Sequence, residues 1–254
     1  MVHGFAEHSG RYGHVASALV SCGVNVTALD LRGHGASGGT RAFIRRFDDY
    51  LDDLDAVLES ETSAGSGHPL LLMGHSMGGL VTALHAIERR RDCAGLILSS
   101  PCFGFALKVP AWKAAAGQVF SRLVPRLSLP SGLDRALLSH DPEVQRELEQ
   151  DPHSLVTATA RWYTETIAAQ GRALERANEL SLPLLCQVAG DDRLVEAGRS
   201  REFFESAGSS DKQWRCYDGL YHEIYNELER DRVLDDLTGW VRAQIGAAAP
   251  RSNG

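Results

Sequence analysis

The stretch LLLMGHSMGGL, residues 70–80, runs an apolar segment into a serine with a glycine two positions to either side. Gly74-x-Ser76-x-Gly78 fits a nucleophile elbow, in which a serine occupies a strained turn between a strand and a helix. At Gly74 and Gly78 a Cβ would crowd neighbouring backbone, and strained turns use glycine for that reason. A plain Ser/Gly turn would share the five residues, so the context has to separate the two readings. LVTALHAIERR follows at helical spacing, as an elbow requires. A serine hydroxyl is a poor nucleophile until a base takes its proton, and the base needs a carboxylate to hold its tautomer. In this arrangement the chain order is serine, then Asp or Glu, then histidine. VAGDDRLV offers Asp191 and Asp192 after an apolar run, and YDGLYHEIYNE offers His222 after the last strand-like run. Both lie at strand ends, where an open α/β sheet gathers its ligand-binding groups. A developing oxyanion also needs backbone donors, one of them the N–H of the residue after the nucleophile, Met77. The second should come from the loop after an earlier strand; VHGFAEHSGRY supplies it, with Phe5 the expected donor.

These groups must be held by a scaffold, and its pattern is legible. Runs at 24–30, 69–75, 93–100, 182–190 and 213–219 read as strands, the middle three nearly all apolar, as parallel strands covered on both faces are. Helical patterns near 10–22, 45–63, 77–91, 194–207 and 229–246 alternate with them. Alternation of this kind predicts an α/β fold with a mostly parallel central sheet wrapped by helices. One connection breaks the rhythm. Residues 102–181 are too long for a structureless loop and carry helical patterning, so they read as an inserted helical cap. The core is then 1–101 plus 182–247, and 248–254 a frayed tail. Residues 104–133 carry Lys108, Lys113, Arg122 and Arg126 and no acidic residue, among apolar side chains such as Trp112 and Phe120. Two readings stay open: charges on a solvated cap face, or a basic lid facing an anionic lipid interface.

The bulk numbers fit an ordinary globular chain of 254 residues, 43% hydrophobic and 23% charged. A net charge of −7 argues against general nucleic-acid binding, which needs clustered basic residues. No apolar run reaches the length of a membrane span. Cys22, Cys93, Cys102, Cys186 and Cys216 are odd in number, with no C-x-x-C, which favours reduced thiols and a cytoplasmic setting.

HGFAEHSGRY, LDLRGHGASGG, GHSMGG, DDRLV and GLYHEIYNE, in this order and at these spacings, closely resemble the monoacylglycerol lipase and lysophospholipase branch of the α/β-hydrolases. The resemblance runs from residue 2 to about 230, although between 102 and 180 only length and helical character match. It implies Ser76 as nucleophile, Asp192 as acid, His222 as base, and Phe5 with Met77 as oxyanion donors. Asp192 is preferred to Asp191 because the family's acid directly precedes the Arg-Leu-Val-like step. The family's glycine three residues before that acid is Ala189 here, so Asp191 stays open as an alternative. It also implies hydrolysis of monoacylglycerols, lysophospholipids or related esters through an acyl-serine, without metal or organic cofactor. The cap would shape the acyl pocket, and under the basic-lid reading of residues 104–133 it would also touch the membrane peripherally. In the resembled fold the strand leading into His-Gly lies mid-sheet, between those represented by VNVTALD and PLLLMGH, and two further strands precede it. Since the sequence opens at Met1-Val2-His3, the expectation is that Met1 is an internal start with more chain upstream.

Rival readings are weaker. GHGASG (33–38) matches the dinucleotide fingerprint G-x-G-x-x-G, but its last glycine should open a helix, and GTRAFIRRF reads as loop. HEIYNE (222–227) places Asn226 where the zinc motif H-E-x-x-H needs its second histidine. A small-ester or amide hydrolase of the same fold, or a catalytically impaired binding protein, completes the set of alternatives.

Overall fold

The computed structural model describes residues 1–63, 69–89, 91–107 and 109–248; Lys108 and the tail beyond 248 lie outside them. The first half contains α1 (Gly13–Val20), α2 (Asp48–Ser63), β1 (Leu71–His75), α3 (Met77–Glu88) and β2 (Gly95–Ser99). Between β2 and the next core strand come α4 (Ala111–Leu123), β3 (Ser128–Pro130), α5 (Pro142–Gln150), β4 (Thr157–Thr159) and α6 (Ala160–Glu175). The chain closes with β5 (Leu184–Ala189), α7 (Ala197–Ser206), β6 (Lys212–Tyr217) and α8 (Arg230–Ala248).

The sheet runs β1-β2-β5-β6, all parallel, with Leu72 opposite Leu96, Leu98 opposite Cys186 and Cys186 opposite Trp214. Side chains alternate between its faces. Leu72, Leu96, Leu98, Leu184, Cys186 and Val188 point to one core, shared with residues of α2, α3 and α7 such as Leu54, Leu80, Leu84 and Phe203. Met73, Ile97, Leu185 and Ala189 point to the other, covered by Val15 and Leu19 of α1 and by Val233, Leu237 and Trp240 of α8. Helices on both faces are what near-continuous apolar strands demand, so the expected α/β architecture is the one observed.

Three local expectations change. Residues 24–30 are extended but form no strand: among the described residues the ladder pairing there is Val2 with Leu29, reinforced by Leu29 N–H donating to the Met1 carbonyl at 3.3 Å. Val2 pairs with Gly74 on its other side, so it lies between Leu29 and β1 as the resemblance implied. The predicted helix at 10–22 is a 3₁₀ turn, Ser9–Tyr12, followed by α1, because Asp30 takes the Ser9 N–H at 2.8 Å and the His8 ring caps the turn. In the 102–181 segment, β3 and β4 form an antiparallel ribbon that three-residue strands gave no periodicity to predict. The GHGASG loop wraps the Asp30 carboxylate, which accepts the Ala36 N–H at 2.8 Å, and the next helix begins only at Asp48.

Candidate active site

Ser76 sits between β1 and α3 at φ +51°, ψ −117°, a left-handed conformation unusual for a residue with a Cβ. Its neighbours hold it there: Ser76 N–H donates to the Ser99 carbonyl (2.9 Å), and the Ser76 carbonyl accepts from Cys102 N–H (3.0 Å) and Leu80 N–H (3.2 Å). The flanking glycines are steric necessities. A Cβ at Gly74 would overlap the Gly78 carbonyl, and one at Gly78 would overlap the carbonyls of Val2 and His3. Helix α3 therefore packs its first turn against the strand and the loop beneath it, with the serine at the apex.

Ser76 Oγ lies 2.9 Å from His222 Nε2, and His222 Nδ1 lies 2.7 Å from Asp192 Oδ2. Asp192 Oδ1 accepts the N–H groups of Leu194 (2.9 Å) and Val195 (3.0 Å), which fixes the carboxylate plane. All three side chains are nearly closed off from solvent. Asp191 lies outside this chain of bonds: it pairs with Arg193 at 2.9 Å on the surface, its side chain 45% exposed. Burial by itself would lower the His222 pKa; the charge and hydrogen bond of Asp192, with Glu223 and Glu7 beyond, reverse this and raise it. Burial would raise that of Asp192, but His222 and the two backbone N–H groups hold it below its ordinary value. His75, its ring 4.9 Å from that of His222, is driven down to about 4 by burial and then by His222. It is neutral at working pH. A serine–histidine–carboxylate chain in this geometry can move the hydroxyl proton to Nε2 while the carboxylate steadies the resulting imidazolium.

The loop that carries Phe5 lies against the serine: a Cβ at Gly4 would come 3.1 Å from Ser76 Cβ. Neither the Phe5 nor the Met77 N–H donates to an acceptor among the described residues. Two such donors beside a nucleophile suit an oxyanion. The Phe5 ring stacks on Trp162 of α6 at 4.0 Å, and Phe105 stacks on Tyr163 of the same helix at 5.9 Å, so the 102–181 segment puts an aromatic wall beside the serine.

One group of residues has no counterpart in the sequence reading. Glu7, Arg11 and Glu223 form a buried cluster next to the site, with Arg11 reaching Glu223 through two 2.6 Å bonds and Glu7 through one of 3.0 Å. Glu7 and Arg11 are four residues apart, but Glu7 stands outside any helix, where that spacing carries no pairing signal. Glu223, 212 residues further on, gave none.

Comparison with known proteins leads the same way. The profile of the family described as serine aminopeptidase, S33, matches residues 1–229. A monoacylglycerol lipase of Mycolicibacterium smegmatis is 33% identical over 246 residues, 96% of this chain and 88% of that protein. The phospholipase YtpA of Bacillus subtilis is 34% identical over 237 residues, 92% of this chain and 90% of its own. The crystal structure of the monoacylglycerol lipase of Paleococcus ferrophilus superposes with a TM-score of 0.89 at 31% identity, over 96% of this chain and 93% of that one.

Proposed function

Because the chain belongs to the serine aminopeptidase S33 family of hydrolases, we propose that it cleaves carboxylic esters of lipids, monoacylglycerols or lysophospholipids, through an acyl intermediate on Ser76. The enzyme class is carboxylic ester hydrolase. The observation that carries the mechanism is the unbroken hydrogen-bond chain from Ser76 Oγ through His222 to Asp192.

In the first half-reaction His222 Nε2 takes the Ser76 proton as Oγ attacks the ester carbonyl. The carbonyl oxygen becomes negative and is met by the N–H groups of Phe5 and Met77. Protonated His222 then gives its proton to the departing alcohol. Water then attacks the acyl carbonyl while the same nitrogen takes its proton, and His222 returns that proton to Ser76 Oγ as the acyl–oxygen bond breaks, releasing the carboxylic acid and restoring the hydroxyl. Asp192 keeps the Nδ1–H tautomer throughout, so that Nε2 is free to accept.

The 102–181 segment supports a lipid substrate. Phe5 and Phe105, both half-buried and backed by the buried Trp162, offer apolar surface there, where each buried methylene of an acyl chain contributes roughly 0.8 kcal/mol. On its outer side, Leu107, Trp112 and Leu123 are 66%, 69% and 76% exposed, close in sequence to Lys113, Arg122 and Arg126. Apolar side chains bordered by cations fit the surface of an anionic bilayer, and we place peripheral membrane contact there. No helix among the described residues is long and apolar enough to cross a membrane.

The test is a substrate panel: p-nitrophenyl esters from acetate to palmitate, then monoacylglycerol and lysophosphatidylcholine. Rising kcat/KM with chain length and turnover of a lipid support the reading. An acetate optimum with no lipid turnover would replace it with a small-ester hydrolase. Sedimentation with phosphatidylglycerol vesicles should weaken with salt and in Trp112→Ala/Lys113→Ala; binding that ignores both would return the cap charges to a solvated face.

A further inference from the structure

Glu7, Arg11 and Glu223 are more than a buried ion cluster, because each carboxylate belongs to a segment carrying one part of the site. Glu7 Oε1 accepts the Gly4 N–H at 2.5 Å and the Tyr12 hydroxyl at 2.7 Å, closing the turn in which Phe5 stands. Ala6 in that turn is held at φ +68°, a conformation the bonds must maintain. Glu223 is the residue after His222, and its Oε2 also accepts the Asn226 side-chain amide at 2.9 Å. Its backbone N–H donates to the Leu138 carbonyl at 2.8 Å, so the loop is tethered on its far side too. Arg11 bridges the two segments with three charge-assisted bonds, and the Glu7 and Glu223 side chains are only 5% and 4% exposed.

We propose that Arg11 is a positioning residue that sets the distance between the oxyanion loop and the base, by clamping Glu7 and Glu223 at once. The serine needs both partners in register: Phe5 N–H must face the carbonyl oxygen while His222 Nε2 faces Oγ. The two loops are far apart in the chain, one preceding α1 and the other following β6. His14 of α1 bonds the Tyr225 carbonyl at 2.7 Å further along the second loop, whereas Arg11 joins the Glu7 turn to the residue next to His222. Two carboxylates against one guanidinium also leave a net negative charge near His222, alongside Asp192. The remaining ring packed on the base is the neutral His75. Loss of one partner would strand a buried charge, the situation in which such clusters lose their geometry. This inference rests on the acyl-serine reading above.

The test uses Arg11→Lys, Arg11→Met and Glu223→Gln in the full chain, with p-nitrophenyl butyrate as substrate and active sites counted by fluorophosphonate titration. Lysine keeps the charge but cannot form the two-pronged bond to Glu223. Both Arg11 variants should lose about 10²-fold in kcat per titrated site, with KM within about twofold of wild type. Arg11→Lys should retain the wild-type pH for the rise in kcat/KM. Glu223→Gln should move that rise to lower pH, because it removes a carboxylate that holds the His222 pKa up. A merely structural cluster would instead reduce the number of titrated sites, leaving kcat per site and the pH profile unchanged, and that result overturns the proposal. If Arg11→Met does not fold, Arg11→Lys and Glu223→Gln decide the matter on the same readouts. A wild-type chain that takes no label and hydrolyses no ester overturns the Ser76 reading, and the clamp with it. A labelled, active wild type with unchanged variants overturns the clamp alone.

Discussion

Replacing Asp192 by asparagine tests which carboxylate serves His222, and the structure sets the size of the effect. Asp192 Oδ1 is held by two backbone N–H donors, at 2.9 and 3.0 Å. In Asp192→Asn the amide oxygen keeps those two bonds, so the amide NH₂ takes the place of Oδ2, 2.7 Å from His222 Nδ1. Nδ1 must then accept rather than donate. The ring proton moves to Nε2, which faces Ser76 Oγ at 2.9 Å and can no longer take the hydroxyl proton. The imidazolium also loses its counter-charge. Loss of the correct tautomer costs about 10⁴-fold in kcat in serine hydrolysis, equivalent to about 5.5 kcal/mol of transition-state stabilisation. Asp191→Asn removes only an exposed pair with Arg193 and should leave kcat within about twofold. Steady-state hydrolysis of p-nitrophenyl butyrate, with folding checked by circular dichroism, measures both. Asp192→Asn at more than about a tenth of wild-type kcat, or a larger loss in Asp191→Asn, would refute the reasoning.

Gly78→Ala forces a Cβ onto the carbonyls of Val2 and His3, neither of which is a flexible group. It should cost about 1–3 kcal/mol of stability and displace the Phe5 loop, so melting temperature and kcat should fall together; an unchanged pair would contradict the steric account. Hydrolysis requires neutral His222, whose pKa is raised above its ordinary 6.5. The rise in kcat/KM should therefore be centred above pH 6.5, with activity lost as pH falls; a midpoint below 6 would contradict the role of Asp192. His3 and His75 are held neutral by burial, each lowered from 6.5 to about 4, so the unfolded chain binds more protons between those values. Stability should fall as pH drops from 6.5 towards 4, by about 3 kcal/mol per histidine at the limit. His222 acts oppositely, its contribution being complete below 6.5 and lost as pH rises through its folded value. Denaturant midpoints across this range measure the sum, to which His34, lowered by burial to about 3, adds in the same direction; a flat profile would contradict the neutrality of these buried histidines in the folded chain.

Much of the site was legible because its parts obey local rules. Gly74 and Gly78 announced a backbone with no room for a Cβ, and the contacts at both positions have that cause. The order of Ser76, Asp192 and His222 along the chain, each after an apolar run, matches the three strand ends that bring them together. The resemblance favoured Asp192 by its place before Arg193-Leu194-Val195, while Ala189 in place of the family's glycine kept Asp191 open. What separates them is the Leu194 and Val195 N–H pair, a feature of a folded turn. Residues 24–30 alternate as a strand should, yet pairing depends on what lies alongside, and among the described residues the ladder partner is Val2, opposite Leu29. Arg11 was unremarkable in sequence because its chief partner, Glu223, is distant in the chain. The ribbon of β3 and β4 was hidden for a different reason: Ser128–Pro130 and Thr157–Thr159 are too short to show a period.

The central claim is that the acyl group of the substrate passes through Ser76. Rapid acid quenching during turnover of p-nitrophenyl butyrate, followed by digestion and peptide mass spectrometry, tests it directly. The peptide containing Ser76 should gain one butyryl group, lose it at the rate of turnover, and gain none in Ser76→Ala. An unmodified Ser76 peptide during turnover, or Ser76→Ala hydrolysing the ester at the wild-type rate, would contradict it.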